Sequence, residues 1–312
     1  MIKNIIKVTL FLLMVGILQW LVGSHAPGMS FYNLELLNKY LAQPVDILIF
    51  GDSTDWYSAD GDKDKRSISR MLGDMLPGKR VKSISHAAYQ LDIYGAFCEY
   101  IVRQKNRPRC IIIPLNLRSF SPEWDREPHY QFEKEKIILE GGLPRSFYKP
   151  LQVIKYRFNP ISQAEYWETP VFKRDLEIGK IKDMKGLKNQ FLLKYMYSLT
   201  GEHRKIKSLV RIARLLSSHG IAVLFYITPV DYQAGERFFP GEFKEQVSRN
   251  STFITELLAG EGMSLQLLNL SLELGSDYFA WKIPSPNEHL NQEGRRFAAE
   301  QLLKKIFTFV KT

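Results

Sequence analysis

Cysteine is nearly absent: Cys98 and Cys110 are the whole complement of 312 residues. That excludes a disulfide framework and a four-thiolate zinc site. A single bridge stays open, but Cys98 falls in an expected helix and Cys110 opens the next expected strand. Joining them needs Cα atoms within about 7 Å. Histidine is also sparse, and His86, His129, His203 and His219 follow no metal-ligand spacing, so they read as surface or packing residues. One stretch imitates a metal site. Asp60-Gly61-Asp62-Lys63-Asp64 has the alternating acids of a calcium loop, but Lys65 replaces the required glycine and Met71 the bidentate glutamate. It reads as a solvated loop, and no metal or cofactor is expected.

Also missing are internal repeats, low-complexity tracts, and any Lys/Arg block with interleaved aromatics. Zinc-finger, RNP and helix-turn-helix spacings are absent too, which sets nucleic acid aside as a partner. The 43 Lys and Arg against 33 Asp and Glu leave a formal charge of +10. Such an excess suits phospholipid headgroups or acidic glycans, and equally a plain solubilising surface. What is present is core material. At 45% hydrophobic and 24% charged residues, the chain has enough for one large α/β domain or two small ones.

Long apolar runs are confined to the amino terminus, where Val8 to Val22 carries only Gln19 as a strongly polar residue and Lys3 and Lys7 lie upstream. Ser24-His25-Ala26 half satisfies a signal-peptide cut, but Pro27 would then begin the mature chain. Residues 1–26 are therefore read as an uncleaved membrane anchor. With both lysines snorkelling, the apolar stretch reaches about 20 residues, roughly what a bilayer core needs. Trp20 would sit near the far interface. The positive-inside rule keeps the lysines cytoplasmic and places residues 27–312 on the extracytoplasmic side of a single-pass cytoplasmic-membrane protein.

Beyond the Pro27-Gly28 joint, compact apolar runs recur at Val45–Phe50, Arg80–Ser85, Cys110–Leu115, Ile221–Thr228 and Leu265–Leu270, with helical stretches between them. The clearest helix lies within Glu202–His219, whose Ile206, Leu209, Val210, Ile212, Ala213, Leu215 and Leu216 share a face before Gly220 stops it. Alternating β and α elements imply a parallel five-stranded sheet with helices on both faces, a three-layer α/β/α domain. The span of about 121–200 breaks the rhythm with Pro122, Pro128, Pro144, Pro150, Pro160 and Pro170. It reads as an insertion following the third strand, and so emerges at the carboxyl edge of the sheet, where ligands bind. A substrate lid and a peripheral packing subdomain are both consistent with it.

Two motifs carry chemistry. Gly51-Asp52-Ser53 closes the first apolar run, and Pro286-Asn287-Glu288-His289-Leu290-Asn291-Gln292-Glu293-Gly294 leads into the last helix. Together they resemble the SGNH/GDSL hydrolase superfamily, whose fold is flavodoxin-like. The resemblance implies Ser53 as nucleophile, His289 as general base, and Asn116 in Pro114-Leu115-Asn116-Leu117-Arg118 as the oxyanion-hole asparagine. The superfamily's block glycine falls at Ala87 or Ala88, where a backbone N–H can serve, and Asp52 and Arg118 border the same subsite. Topology points the same way. In strand order 2-1-3-4-5 the switch point separates strands one and three, so the loops bearing Ser53 and Asn116 flank one crevice.

One departure stands out. The superfamily places aspartate three residues before the histidine, and this chain has Pro286. Asn287 is assigned the weak remaining role beside His289, Glu288 is adjacent but awkward for reaching the ring, and Asp231 and Asp277 are remote candidates. The layout of an anchor followed by this domain looks like that of proteins that acylate cell-envelope polymers. The expectation is thus an extracytoplasmic O-acyl esterase or O-acyltransferase acting on a cell-envelope glycan through an acyl-enzyme on Ser53. Its partners would be the acylated glycan, or another ester substrate, and a multispanning membrane acyl-donor protein. The alternative, which the missing aspartate supports, is a catalytically inert subunit that binds a glycan or a membrane acyltransferase.

Overall fold

The computed structural model describes residues 2–25, 30–126, 128–140, 184–261, 265–280 and 286–309. The five apolar runs form parallel strands within two residues of their expected bounds: β1 Ile47–Gly51, β2 Val81–Ser85, β3 Cys110–Leu115, β4 Ala222–Ile227 and β5 Leu265–Asn269. They lie in the order β2-β1-β3-β4-β5. The chain first winds outward from β1 to β2, then crosses back to β3, so the gap between the β1 and β3 loops is the switch point.

Strands buried on both faces need apolar side chains at every position, and alternate ones must feed different helix layers. Leu48, Phe50, Ile111, Ile113, Val223 and Phe225 enter one core, with helices Tyr32–Leu41, Leu91–Val102, Arg204–Ser218 and Glu242–Gly260. Ile47, Ile49, Cys110, Ile112, Leu224 and Tyr226 enter the other, against helices Ile68–Asp74 and Gln292–Phe309. Cys98 and Cys110 fall in different layers and are both free and buried, so the optional bridge is not formed.

The amino-terminal run forms a helix, Ile2–His25, with Ile5, Leu10, Phe11, Leu13 and Ile17 exposed along it. Among the described residues, however, no helix is long and apolar enough to cross a membrane. The expected transmembrane span is corrected to that extent.

The described flanks of the expected insertion pack on the domain's periphery. Helix Glu133–Glu140 lies against Leu91–Val102, where the Arg103 Nη2 donates to the Leu139 carbonyl at 2.6 Å. Helix Met184–Tyr195 sets Phe191 edge-on to Phe243 with centroids 5.4 Å apart. Residues 141–183, the centre of the insertion, lie outside the described residues, as does the side chain of His129.

The acidic stretch expected to be solvated has a structural task instead. Arg295, fully buried on the last helix, donates to Asp62 Oδ2 at 2.9 Å and to the carbonyls of Tyr57, Asp64, Arg66 and Leu290. Asp62 also accepts from the Gln292 and Ala59 N–H groups. Within the acidic stretch the Asp62 carboxylate and the Asp64 carbonyl thus hold a guanidinium, and among the described residues no group of three or more potential ligands could hold a metal ion.

Candidate active site

Ser53 opens a four-residue helix, Ser53–Trp56, directly after β1, and Asp52 caps it by accepting from the Thr54 N–H at 2.7 Å. The turn is tight. A methyl group on Gly51 would stand 2.8 Å from the Asp55 Cβ and against the Ser85 hydroxyl, so glycine is required for the close approach. Asp55 fastens the turn to its surroundings. Its buried carboxylate accepts from the Ser69 N–H (2.8 Å), the Ser69 hydroxyl (2.9 Å) and the Ser85 hydroxyl (2.8 Å). Burial raises its pKa, with the neighbouring Asp52 charge adding in the same direction.

At the other end of the sequence, the loop before helix Gln292–Phe309 brings His289 Nε2 to 3.0 Å from Ser53 Oγ. The expected pair therefore meets across 236 residues. The Tyr57 ring lies 4.7 Å from the imidazole, tilted by 56°, and closes its flank. Both members are buried, Ser53 at 6% and His289 at 2% exposure. Burial pushes the His289 pKa down to about 3, and the Arg118 guanidinium pushes the same way. The imidazole is therefore neutral at ordinary pH, the form that can take a proton from a serine hydroxyl.

Asn116 stands on the facing side of the switch point, immediately after β3. It caps the 3-10 turn Leu117–Phe120, its Oδ1 accepting from the Arg118 N–H at 3.0 Å, while its Nδ2 donates to Asp52 Oδ2 at 3.3 Å. The side chain is thereby tied to the residue preceding Ser53. Its turn is braced from behind, because the buried Lys205 Nζ donates to the Ser119 carbonyl and the Tyr197 hydroxyl to the Leu117 carbonyl. Burial raises the Asp52 pKa, opposed by its hydrogen bonds from Thr54 and Asn116 and by the Arg118 charge.

The turn after β2 completes the enclosure, with the His86 N–H donating to the Gly51 carbonyl at 3.2 Å. Ala88 there takes φ of 62°, a left-handed conformation that glycine adopts without cost. That backbone demand singles out Ala88 rather than Ala87 as the glycine-like position. Ala87 contributes its carbonyl, which accepts from His86 Nδ1 at 2.8 Å. His86 is accordingly a buried packing residue, and His203 a helix cap accepting from the Lys205 N–H.

Several expected roles shift. The Asn287 side chain accepts from the His289 backbone N–H at 2.9 Å, so it shapes the loop; the expected part beside the imidazole is corrected to that extent. Asp231 is turned away, its Oδ1 accepting from the Ser276 hydroxyl at 2.5 Å and the Ala234 N–H at 3.1 Å. Asp277 is exposed on the 3-10 turn Ser276–Tyr278. Arg118, expected beside the oxyanion subsite, pairs at 3.2 Å with Glu288, and both side chains are almost wholly enclosed. It also lies 5.1 Å over the Trp124 ring.

No family model matches this chain, and no curated protein does. Among solved structures, a catalytic mutant of an acetylxylan esterase from Geobacillus stearothermophilus aligns at 12% identity and a TM-score of 0.42, covering 84% of this chain and 94% of that one. A member of the lipolytic protein G-D-S-L family from Veillonella parvula aligns at 12% identity and a TM-score of 0.40, covering 85% and 98%. A salicylyl-acyltransferase from a tetracycline biosynthetic pathway gives 13% identity and a TM-score of 0.41, covering 85% of this chain and 55% of its own.

Proposed function

We propose that this protein is a serine-dependent O-acyl esterase or O-acyltransferase of the SGNH type. The observation that carries the reading is the 3.0 Å contact between Ser53 Oγ and His289 Nε2 at the carboxyl edge of a parallel sheet, with Asn116 across the switch point. Neutral His289 takes the hydroxyl proton as Ser53 Oγ bonds to the ester carbonyl carbon, and the oxyanion meets the Asn116 amide and backbone N–H groups of the flanking turns. The imidazolium then returns the proton to the departing alkoxide, leaving an acyl-serine. Water or a sugar hydroxyl, deprotonated by the same imidazole, attacks that ester and frees the enzyme. Hydrolysis and transfer share every residue and differ only in the acceptor.

Labelling with a serine-directed fluorophosphonate tests this. Wild type is expected to take up one label and Ser53→Ala none; equal labelling of the two would refute the nucleophile. An unlabelled wild type would favour the second reading, an inert glycan- or acyltransferase-binding subunit, which Pro286 in place of an acid supports.

The acceptor or substrate in this proposal is a cell-envelope glycan, supplied with acyl groups by a multispanning membrane protein. Attachment is through the amino-terminal helix, supported by Lys3 and Lys7 ahead of an exposed apolar run. External protease is then expected to degrade the domain in spheroplasts, and a protected domain would refute this placement.

A further inference from the structure

The expected candidates for orienting the general base lead elsewhere among the described residues. Pro286 has no side-chain acceptor, Asn287 is spent on the His289 backbone, and Asp231 is spent on Ser276 and Ala234. A carboxylate is nevertheless close by. Glu288, adjacent to His289 in the chain, is wholly enclosed and held by Arg118 Nη2 at 3.2 Å. Arg118 in turn is two residues from Asn116, whose Oδ1 accepts its N–H. The ion pair thus joins the loop of the base to the loop of the oxyanion donor, across the crevice in which Ser53 lies.

We propose that the buried Arg118–Glu288 pair is the positioning device that locks His289 onto Ser53 in place of an acid at position 286, an inference that rests on the serine-esterase reading. Two physical points carry it. Charges enclosed in low dielectric are costly to separate, so the pair fixes the distance between the two loops. The Arg118 guanidinium also disfavours the imidazolium by its charge. Other charged and titratable groups on the packed elements include Asp52, bonded to Asn116, Asp55 on the Ser53 helix, Arg295 on the last helix, and Tyr57, whose ring lies beside the imidazole.

Arg118 thus acts on the charge of His289, which a purely structural strap would not do. Titrate His289 by NMR in 15N-histidine-labelled wild type, Arg118→Gln and Glu288→Gln, with ester kinetics and thermal melts alongside. Arg118→Gln is expected to raise the His289 titration midpoint by about one pH unit or more. Glu288→Gln is expected to leave the imidazole neutral at least as far into acid as in wild type, and to lower kcat about 100-fold with KM nearly unchanged. Glu288→Asp and Arg118→Lys keep the charges and should recover part of the lost turnover. A His289 midpoint unmoved in Arg118→Gln would overturn the proposal, as would a Glu288→Gln enzyme with wild-type kcat. The titration needs no activity, so an inert wild type would sink the esterase reading while the midpoints still decide the electrostatic one. Should either single variant fail to fold, the double Arg118→Gln, Glu288→Gln variant leaves no buried unpaired charge, and a wild-type kcat in it would likewise overturn the proposal.

Discussion

Ser53→Ala and His289→Ala are each expected to lower model-ester turnover by about 10⁴-fold, and the double variant to fall no further. On the proposed mechanism Ser53 and His289, 3.0 Å apart, act in one step as nucleophile and base, so removing either removes that step. Additive losses would contradict a dyad. The pH profile is the companion result. Because burial and Arg118 bring His289 down to about 3, the acid limb of kcat/KM should fall near that value rather than at the ordinary imidazole position of 6.5. Stability follows from the same numbers. Between those values the unfolded chain binds a proton that the fold refuses, so this group costs stability as pH falls through the window, and His289→Ala should flatten the decline. Glu135, raised by burial to about 6, acts in the opposite sense, its contribution being lost as pH rises through that value. Comparing the two proteins at each pH cancels it.

Arg295→Met is expected to destabilise the fold by about 3–5 kcal/mol, the largest stability loss of any single change considered. The guanidinium is fully buried, and its removal leaves the Asp62 carboxylate enclosed without its cation and the carbonyls of Tyr57, Asp64, Arg66 and Leu290 without their donor. Tyr57 begins the loop so held and its ring covers His289, so turnover should drop even in the fraction that stays folded. Denaturant unfolding of both proteins measures the first effect. A loss below about 1 kcal/mol would show the loop to be held by other contacts.

Those two results separate what is legible in sequence from what is not. The strands announce themselves because a doubly covered parallel strand must be apolar at every position, as in Cys110–Leu115. Ser53, Asn116 and His289 were findable because each sits at a fixed offset from such an element: one strand end, another strand end, the start of the last helix. Even the Ala88 conformation was foreshadowed by a position where glycine is usual. Arg295 and Asp62 were not findable. Their pairing spans 233 positions, and an acid in an alternating run looks solvated until the arginine that Asp62 meets is known. Glu288 misled for a related reason, since adjacency to His289 forbids easy contact with the ring while saying nothing of Arg118, which reaches it from another loop. The optional disulfide likewise turned on layer assignment, and alternation along β3 sends Cys110 to the face opposite Cys98.

The most direct test of the central claim is rapid-quench peptide mass spectrometry after mixing the protein with p-nitrophenyl acetate. The account predicts an acetyl group on the peptide containing Ser53, formed at the rate of nitrophenolate release and absent from Ser53→Ala. Nitrophenolate released at the wild-type rate by Ser53→Ala, or turnover with no acyl-serine at any time point, would contradict it.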